Sequence, residues 1–225
     1  ENIISAEPES ADMSGQTPPS DRDIPPITEE DYYDVDSEMA NIELPNDYGI
    51  KDPVVLAFVQ ELLDYLGLDI RPDIFTSELL ESNAQYLDYL RHSLGEDKYN
   101  YVYDFLIETQ EARKQVDNGG SQTGAIGRTI YHSGKKSTIL LRTGIEPNPL
   151  IEIGVAFHEI GHALWHSLKE DLLKNSPEIV HRLYDDFREH ASYDRYMTLF
   201  ASDEDFQFQR AFHEFFADQV AKAGS

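Results

Sequence analysis

The sequence predicts an α+β fold that is mostly helical and contains a small mixed sheet. Six segments repeat apolar residues at helical spacing, which is typical of amphipathic helices. Two short neighbouring segments have the β-branched pattern of strands. With 225 residues and no cysteine, the chain is long enough to bury a hydrophobic core without disulfides.

Residues 1–46 are acidic, are punctuated by proline and lack apolar runs. Such a composition cannot bury enough surface to offset the entropy of ordering the chain. We therefore expect a disordered acidic tail or linker, followed by one domain over residues 47–225. Residues 29–36, EEDYYDVD, suit either an acidic docking strip for a basic groove or a solvated linker.

The first part of the domain, residues 52–117, is predicted to be a helical subregion. One helix begins at Asp52-Pro53, a capping residue followed by a first-turn proline, and continues to Gly67. A second helix is expected from residue 76 or 77 to Gly95, and a third over about residues 100–116. The tyrosines between these helices suit core packing better than a ligand platform.

The second part, residues 128–222, is predicted to be the catalytic core. Residues 128–132 and 137–142 have the pattern of two strands joined by a short turn. Helices are then expected at about 149–168, 177–191 and 204–222. Lys135, Lys136 and Arg142 form a local basic island, which suits either orientation of an acidic peptide or protection against edge aggregation.

Composition narrows the classes of function. The formal net charge is -25 and the pI is about 4.4, so the protein repels nucleic acid and anionic lipid surfaces. The charge favours a basic protein or peptide partner, or else serves solubility alone. No segment has the roughly 20 apolar residues that a membrane span needs. Without cysteine, a metal site has to use His, Asp and Glu.

One helix carries the motif His158-Glu159-Ile160-Gly161-His162. His158 and His162 are four residues apart, so both imidazoles lie on one helix face, about 6 Å apart, and can reach a single ion. Glu159 is rotated by about 100° from His158 and can therefore contact a water on that ion without being a ligand.

Two imidazoles supply only half of a zinc shell, so a third ligand is needed from another element. The last helix offers Glu214 and Asp218, which are also four residues apart and share a face. One of these carboxylates can bind the metal, while the other accepts the remaining N–H of a ligand imidazole and fixes its tautomer.

Together, HExxH and Glu214-Phe215-Phe216-Ala217-Asp218 resemble the gluzincin branch of the zincin metallopeptidases. The resemblance covers roughly the last 90 residues and implies a zincin-like catalytic domain with an active-site helix and a C-terminal glutamate helix. It implies one zinc ion bound by His158, His162 and Glu214, with Glu159 as general base. Asp218 would support His158, and Tyr193 or Tyr196, in the loop before the last helix, would polarise an oxyanion.

The resemblance also implies that residues 137–142 form the edge strand that pairs with an extended substrate. The stretch 214–217 is similar to the catalytic domain of the anthrax lethal factor family and, more loosely, to ImmA/IrrE peptidases. The expected function is therefore a zinc endopeptidase, as a secreted or delivered effector that acts in a target-cell cytosol. A cytoplasmic repressor-cleaving peptidase and a non-catalytic, zinc-stabilised interaction protein remain alternatives.

Two further histidines lie near the motif. His166 follows His162 by one turn and could replace a ligand only if Glu214 did not bind. His213 precedes Glu214 but points about 100° away from it, so it suits packing better than hydrogen bonding to a transition state.

Overall fold

A computed structural model of the protein describes residues 42–120, 125–132, 134–143, 145, 149–203 and 205–224. Most of the expected acidic tail, residues 1–41, lies outside the described residues. Residues 42–225 form one compact unit. Within it Leu44 already packs against a buried cluster, so the domain includes a few residues that the sequence interpretation assigned to the tail.

Four helices precede the main part of the sheet: α1 (Pro53–Leu66), α2 (Ser77–Ser82), α3 (Ala84–Leu94) and α4 (Glu96–Asp117). The predicted cap of α1 is confirmed, because the Asp52 carboxylate accepts hydrogen bonds from the N–H groups of Val54 and Val55. The single helix predicted from 76 or 77 to 95 is wrong. Asn83 has an extended backbone there and caps a new helix by accepting from the Gln85 N–H.

The sheet has three strands, β1 (Asp73–Thr76), β2 (Gly127–Tyr131) and β3 (Ser137–Leu141), in the order β1-β3-β2. β1 is parallel to β3, and β2 is antiparallel to it. The small mixed sheet is therefore confirmed. Residues 137–141 form its central strand, however, and not an edge strand. Strand β1, which the sequence interpretation missed, pairs with one side of β3, and β2 pairs with the other side. The edge strand next to the HExxH helix is therefore β2.

Four further helices complete the described fold: α5 (Pro149–Asn175), α6 (Pro177–Glu189), α7 (Tyr193–Leu199) and α8 (Gln207–Gly224). Among the described residues, no helix combines the length and the apolarity that would let it cross a membrane. Helix α7 corrects the expectation that Tyr193 and Tyr196 lie in a loop. Together with the small sheet, these helices confirm an α+β architecture that is mostly helical.

Three buried clusters hold these layers together. The first lies between α1, one face of the sheet and α5, and the second lies between the other face and α2 to α4. The third joins α5 to α6, α7 and α8 and is rich in aromatic rings, with Trp165 and Phe187 almost completely buried. Helix α5 contributes to the first and third clusters, so one helix links the sheet layer to the C-terminal helices.

Helices α5 and α8 cross closely at Gly161. A Cβ atom on Gly161 would lie 2.8 Å from the Ala217 Cα and 3.1 Å from the Val220 Cβ, distances that real Cβ contacts do not tolerate. Only glycine therefore allows the two helices to approach at this point. This contact brings the HExxH motif of α5 against the Glu214 turn of α8.

The expected basic island does not form an exposed patch. Lys135 pairs with Asp171, and Lys136 pairs with Asp73 at 2.9 Å. Arg142 is buried, and its Nε donates to Thr109 Oγ1 at 3.1 Å. These cations stabilise the hairpin against its neighbours and do not form a surface for an acidic peptide.

Candidate metal centre

The side chains of His158 and His162 on α5 and of Glu214 on α8 converge on one point. The two Nε2 atoms are 3.1 Å apart. The Glu214 carboxylate lies 3.3 Å from His158 Nε2 through Oε2, and 3.6 Å from His162 Nε2 through Oε1. One ligand atom from each residue lies within 4.8 Å of the others, so this group could hold a metal ion.

These separations fit a tetrahedral ion. Ligand atoms bound at about 2.0–2.1 Å to a tetrahedral zinc lie roughly 3.3–3.4 Å from each other. The Nε2–Nε2 separation of 3.1 Å and the 3.3 Å from His158 Nε2 to Glu214 Oε2 lie close to that value, and the 3.6 Å to His162 Nε2 is measured from the other carboxylate oxygen, Oε1. A donor set of two imidazoles and one carboxylate also suits zinc among the divalent metals.

The electrostatics of the site favour a positive charge between the three side chains. Burial lowers the pKa of His162 to about 4, so its imidazole is neutral near pH 7 and keeps a lone pair for an ion. Burial would raise the pKa of Glu214, but the hydrogen bond to His158 and the charges of His162 and His158 together outweigh it, and the pKa is lowered. Burial also opposes protonation of His158, yet the surrounding carboxylates, chiefly that of Glu214, raise its pKa. In the metal-free site a proton is thus held where a cation would bind.

Asp218 orients the first ligand. Its Oδ1 lies 2.8 Å from His158 Nδ1, so the carboxylate accepts the Nδ1–H and leaves Nε2 free to face the ion. Its other oxygen, Oδ2, accepts a short hydrogen bond from the Tyr196 hydroxyl. The Tyr196 hydroxyl is therefore engaged with Asp218. Tyr193 lies further from the triad, with its ring 5.0 Å from that of Phe187.

Glu159 lies beside the triad and is almost completely buried. Burial raises its pKa to about 7, although a hydrogen bond from the Thr129 hydroxyl opposes the shift. That hydroxyl donates to Glu159 Oε2 at 2.6 Å and so holds the carboxylate in one orientation. A carboxylate with a pKa near neutrality can both take up and release a proton at working pH.

Two residues of this site, Gly127 and Thr129, were missed by the sequence interpretation, which assigned Gly127 to a loop. A Cβ atom on Gly127 would lie 2.6 Å from the Glu159 Cγ and 2.7 Å from the Val155 Cγ1. Strand β2 can therefore run against Glu159 only with glycine at this position. A glycine at the start of a strand pattern is the signal for such a close backbone approach.

The outer edge of β2 faces this site. Arg142 N–H donates to the Ile126 carbonyl and His132 N–H to the Lys136 carbonyl, so even-numbered residues of β2 bond to β3. The odd-numbered residues Gly127, Thr129 and Tyr131 then direct their main-chain groups away from the sheet. The Tyr131 carbonyl accepts from Lys98 Nζ at 2.6 Å.

Two cavities flank this edge. One, of about 420 Å³, is lined by Gly127 of β2, by Val155, His158 and Glu159 of α5, and by Asp218 of α8, among others. The other, of about 710 Å³, lies between α4 and residues 128–131 of β2. His158, Glu159 and Asp218 line the smaller cavity. A reacting molecule in that cavity could therefore contact these polar groups.

His166 and His213, the two further histidines near the motif, do not join the triad. The His166 ring packs 4.7 Å from that of Tyr131, and the His213 ring lies 6.3 Å from that of Trp165. Burial lowers the pKa of both residues, that of His213 to about 4. Both therefore act as neutral packing groups, as the sequence favoured for His213.

Comparison with known proteins adds no identification. No family model, curated protein or solved structure matches the chain. The class of protein therefore has to be argued from the site itself.

Proposed function

We propose that the protein is a zinc-dependent endopeptidase of the zincin type, with one zinc ion held by His158, His162 and Glu214. The observation that carries the proposal is the buried Glu159 carboxylate beside a three-ligand metal site that borders a cavity. A structural zinc site would have four protein ligands. Here Asp218, the other carboxylate of the ExxxD motif, is hydrogen-bonded to His158 and Tyr196.

The roles of the residues follow from their contacts. A bound zinc ion lowers the pKa of water and polarises a carbonyl group. Glu159 accepts the proton of the attacking water and delivers it to the leaving amine. Thr129 holds the Glu159 carboxylate towards the cavity, and Asp218 keeps His158 in the tautomer whose Nε2 is free.

Strand β2 is the element proposed to bind the substrate. The outward main-chain groups of Gly127 and Thr129 can pair with an extended peptide that passes the Glu159 carboxylate. The net charge of -25 favours a basic protein or peptide as that substrate. The cellular role that we propose is that of a secreted or delivered effector. A repressor-cleaving enzyme of the cytoplasm would use the same chemistry.

The decisive experiment compares native protein with Glu159→Gln, using metal analysis and profiling of new N-termini in a protein lysate. We expect one zinc per chain in both proteins and a loss of cleavage of at least about 100-fold in Glu159→Gln. His162→Ala and Glu214→Ala should lose both the zinc and the cleavage.

Glu170→Gln is the matched control, because Glu170 is an exposed glutamate on the same helix, α5. It should retain native zinc content and cleavage. Cleavage at the native rate by Glu159→Gln would refute the proposal, as would iron in place of zinc. Zinc binding with no cleavage by native protein would instead support the non-catalytic interaction protein.

A further inference from the structure

The cavity beside the metal centre has an apolar wall on α5. Ile151, Gly154, Val155 and His158 are spaced to lie on one face of that helix, and all four line the cavity. Ile126 of the segment leading into β2 and Ala221 of α8 supply further apolar walls. The charged groups, Glu159 and Asp218, lie at the end near His158. A ligand group in this space would therefore meet hydrocarbon along α5 and at Ile126 and Ala221.

Helix α5 contains two glycines, and only one has a packing reason. Glycine is the least favourable residue in a helix interior after proline. At Gly161 the close approach of Ala217 accounts for it. At Gly154, by contrast, no heavy atom of the described chain lies within 4 Å of the position that a Cβ would take, apart from its two chain neighbours and the adjacent backbone of its own helix. The missing side chain at Gly154 opens onto the cavity.

We infer that Gly154 determines substrate specificity by keeping room for a large apolar side chain next to the scissile bond. The inference rests on the proposed function. The cavity volume of about 420 Å³ accommodates one such side chain, and it falls in the lower range of ligand pockets. Gly154 lies one helical turn before His158, so the accommodated group belongs to a residue adjacent to the reacting carbonyl. Acidic side chains are excluded by Glu159 and Asp218.

Substitutions at Gly154 test this inference with a readout that does not require turnover. The probes are two blocked dipeptide hydroxamates, one with a leucine and one with an alanine side chain next to the zinc-binding group. Their Kd values are measured by calorimetry on zinc-loaded native protein, Gly154→Ala and Gly154→Leu. Zinc content and melting temperature are recorded for each protein. Glu170→Gln is the control for probe binding, because it changes an exposed residue of the same helix that does not line the cavity. Gly161→Ala is compared for melting temperature only, because it changes a glycine of the same helix that faces α8.

Native protein should bind the leucine probe at least about tenfold more tightly than the alanine probe, since methyl and methylene groups in an apolar pocket carry that much discrimination. Gly154→Leu should abolish the preference and leave zinc content unchanged. Gly154→Ala should reduce the preference by a smaller factor and raise the melting temperature, because no described atom opposes its methyl group. Gly161→Ala should lower the melting temperature.

An unchanged preference in both Gly154 variants, with zinc bound, would overturn the inference and leave the proposed function intact. Absence of zinc-dependent binding of either probe to native protein would instead overturn both. If Gly154→Leu fails to fold, Gly154→Ala still decides, because its smaller side chain occupies the same open space.

Discussion

At the scale of single residues, Asp218 joins side chains from three helices. It accepts from His158 on α5 and from Tyr196 on α7, while its own main chain belongs to α8. The Tyr196 ring is buried against Phe215 at a centroid distance of 5.9 Å, so its hydroxyl is held in place by packing. Tyr196 therefore helps to set the orientation of the His158 imidazole through its hydrogen bond to Asp218.

We predict that Asp218→Asn lowers zinc affinity by about 10- to 100-fold, because the Nδ1–H of His158 loses its anionic acceptor. Tyr196→Phe should lower it by a smaller factor, since Asp218 keeps its contact with His158 but loses a hydrogen bond. Competition with a calibrated chelator measures both effects. Tyr193→Phe is the control and should bind zinc like native protein. Equal affinities in native protein, Tyr196→Phe and Asp218→Asn would contradict this arrangement.

The residues that the sequence could predict are those whose spacing within one helix fixes their geometry. Residues four apart in a helix share a face, which fixes the geometry of the pairs His158–His162 and Glu214–Asp218 once each segment is helical. The need for a third ligand pointed to the last helix, and the resemblance to gluzincins assigned Glu214 as that ligand and Asp218 as the support of His158. Gly127 and Thr129 could not be found in this way, because their roles depend on how closely β2 passes α5, which is a contact between distant segments.

At the scale of elements, the β2–β3 hairpin holds a partly buried histidine. His132 Nε2 lies 2.7 Å from Thr138 Oγ1. Burial, with Lys136 as the next contribution, lowers the pKa of His132. Its neutral form is therefore favoured in the folded protein. As pH falls below about 6.5, the unfolded chain takes up a proton at this position before the folded chain does.

We predict that His132→Gln reduces the acid sensitivity of the fold. The stability contributed by neutral His132 is present above about pH 6.5 and is lost as pH falls through the lowered folded pKa. The native unfolding free energy should therefore fall more than that of His132→Gln between about pH 7.5 and about pH 5, as measured by urea denaturation with chelator present.

The control for this experiment is His181→Gln, because His181 is exposed on α6. That variant should show the same loss of stability as native protein over this pH interval. If the unfolding free energy of His132→Gln fell as much as that of native protein, the His132 imidazole would not contribute to the acid sensitivity of the fold.

Elements with strong local signals agree with the sequence prediction, and those set by tertiary context do not. Helix α1 has its cap, its proline and its periodicity in the sequence, and its bounds agree to within a residue. Strand β1 has only four residues and is defined by its parallel pairing with β3, which no local pattern reveals. Helix α7, seven residues long, is stabilised by aromatic packing around Phe187 and has too few turns to show periodicity.

At the scale of the whole molecule, the metal centre connects two helices that pack on different neighbours. Helix α5 packs against the sheet through the first cluster, whereas α8 packs mainly in the third cluster with α6, α7 and the part of α5 around Trp165. Two ligands come from α5 and one from α8. A bound ion would therefore stabilise the crossing at Gly161 and oppose separation of the C-terminal helices.

We predict that zinc stabilises the folded protein through this link. At a free zinc concentration about 100-fold above Kd, the unfolding free energy should rise by about 2.7 kcal/mol. Denaturation curves with zinc and with chelator measure the difference. Glu214→Ala should show almost none of it, whereas Glu170→Gln should show all of it. A native protein whose denaturation midpoint is the same with zinc and with chelator would contradict the link.

The edge of β2 has an implication for how copies of the chain meet each other. The Tyr131 carbonyl accepts a hydrogen bond from Lys98. The remaining outward main-chain groups of β2, which no other described residue binds, belong mainly to Gly127 and Thr129. Growth of a sheet from one molecule into the next requires a longer run of such groups. Lys98 therefore shortens the free edge of β2 and limits the growth of a sheet from one copy of the chain to the next.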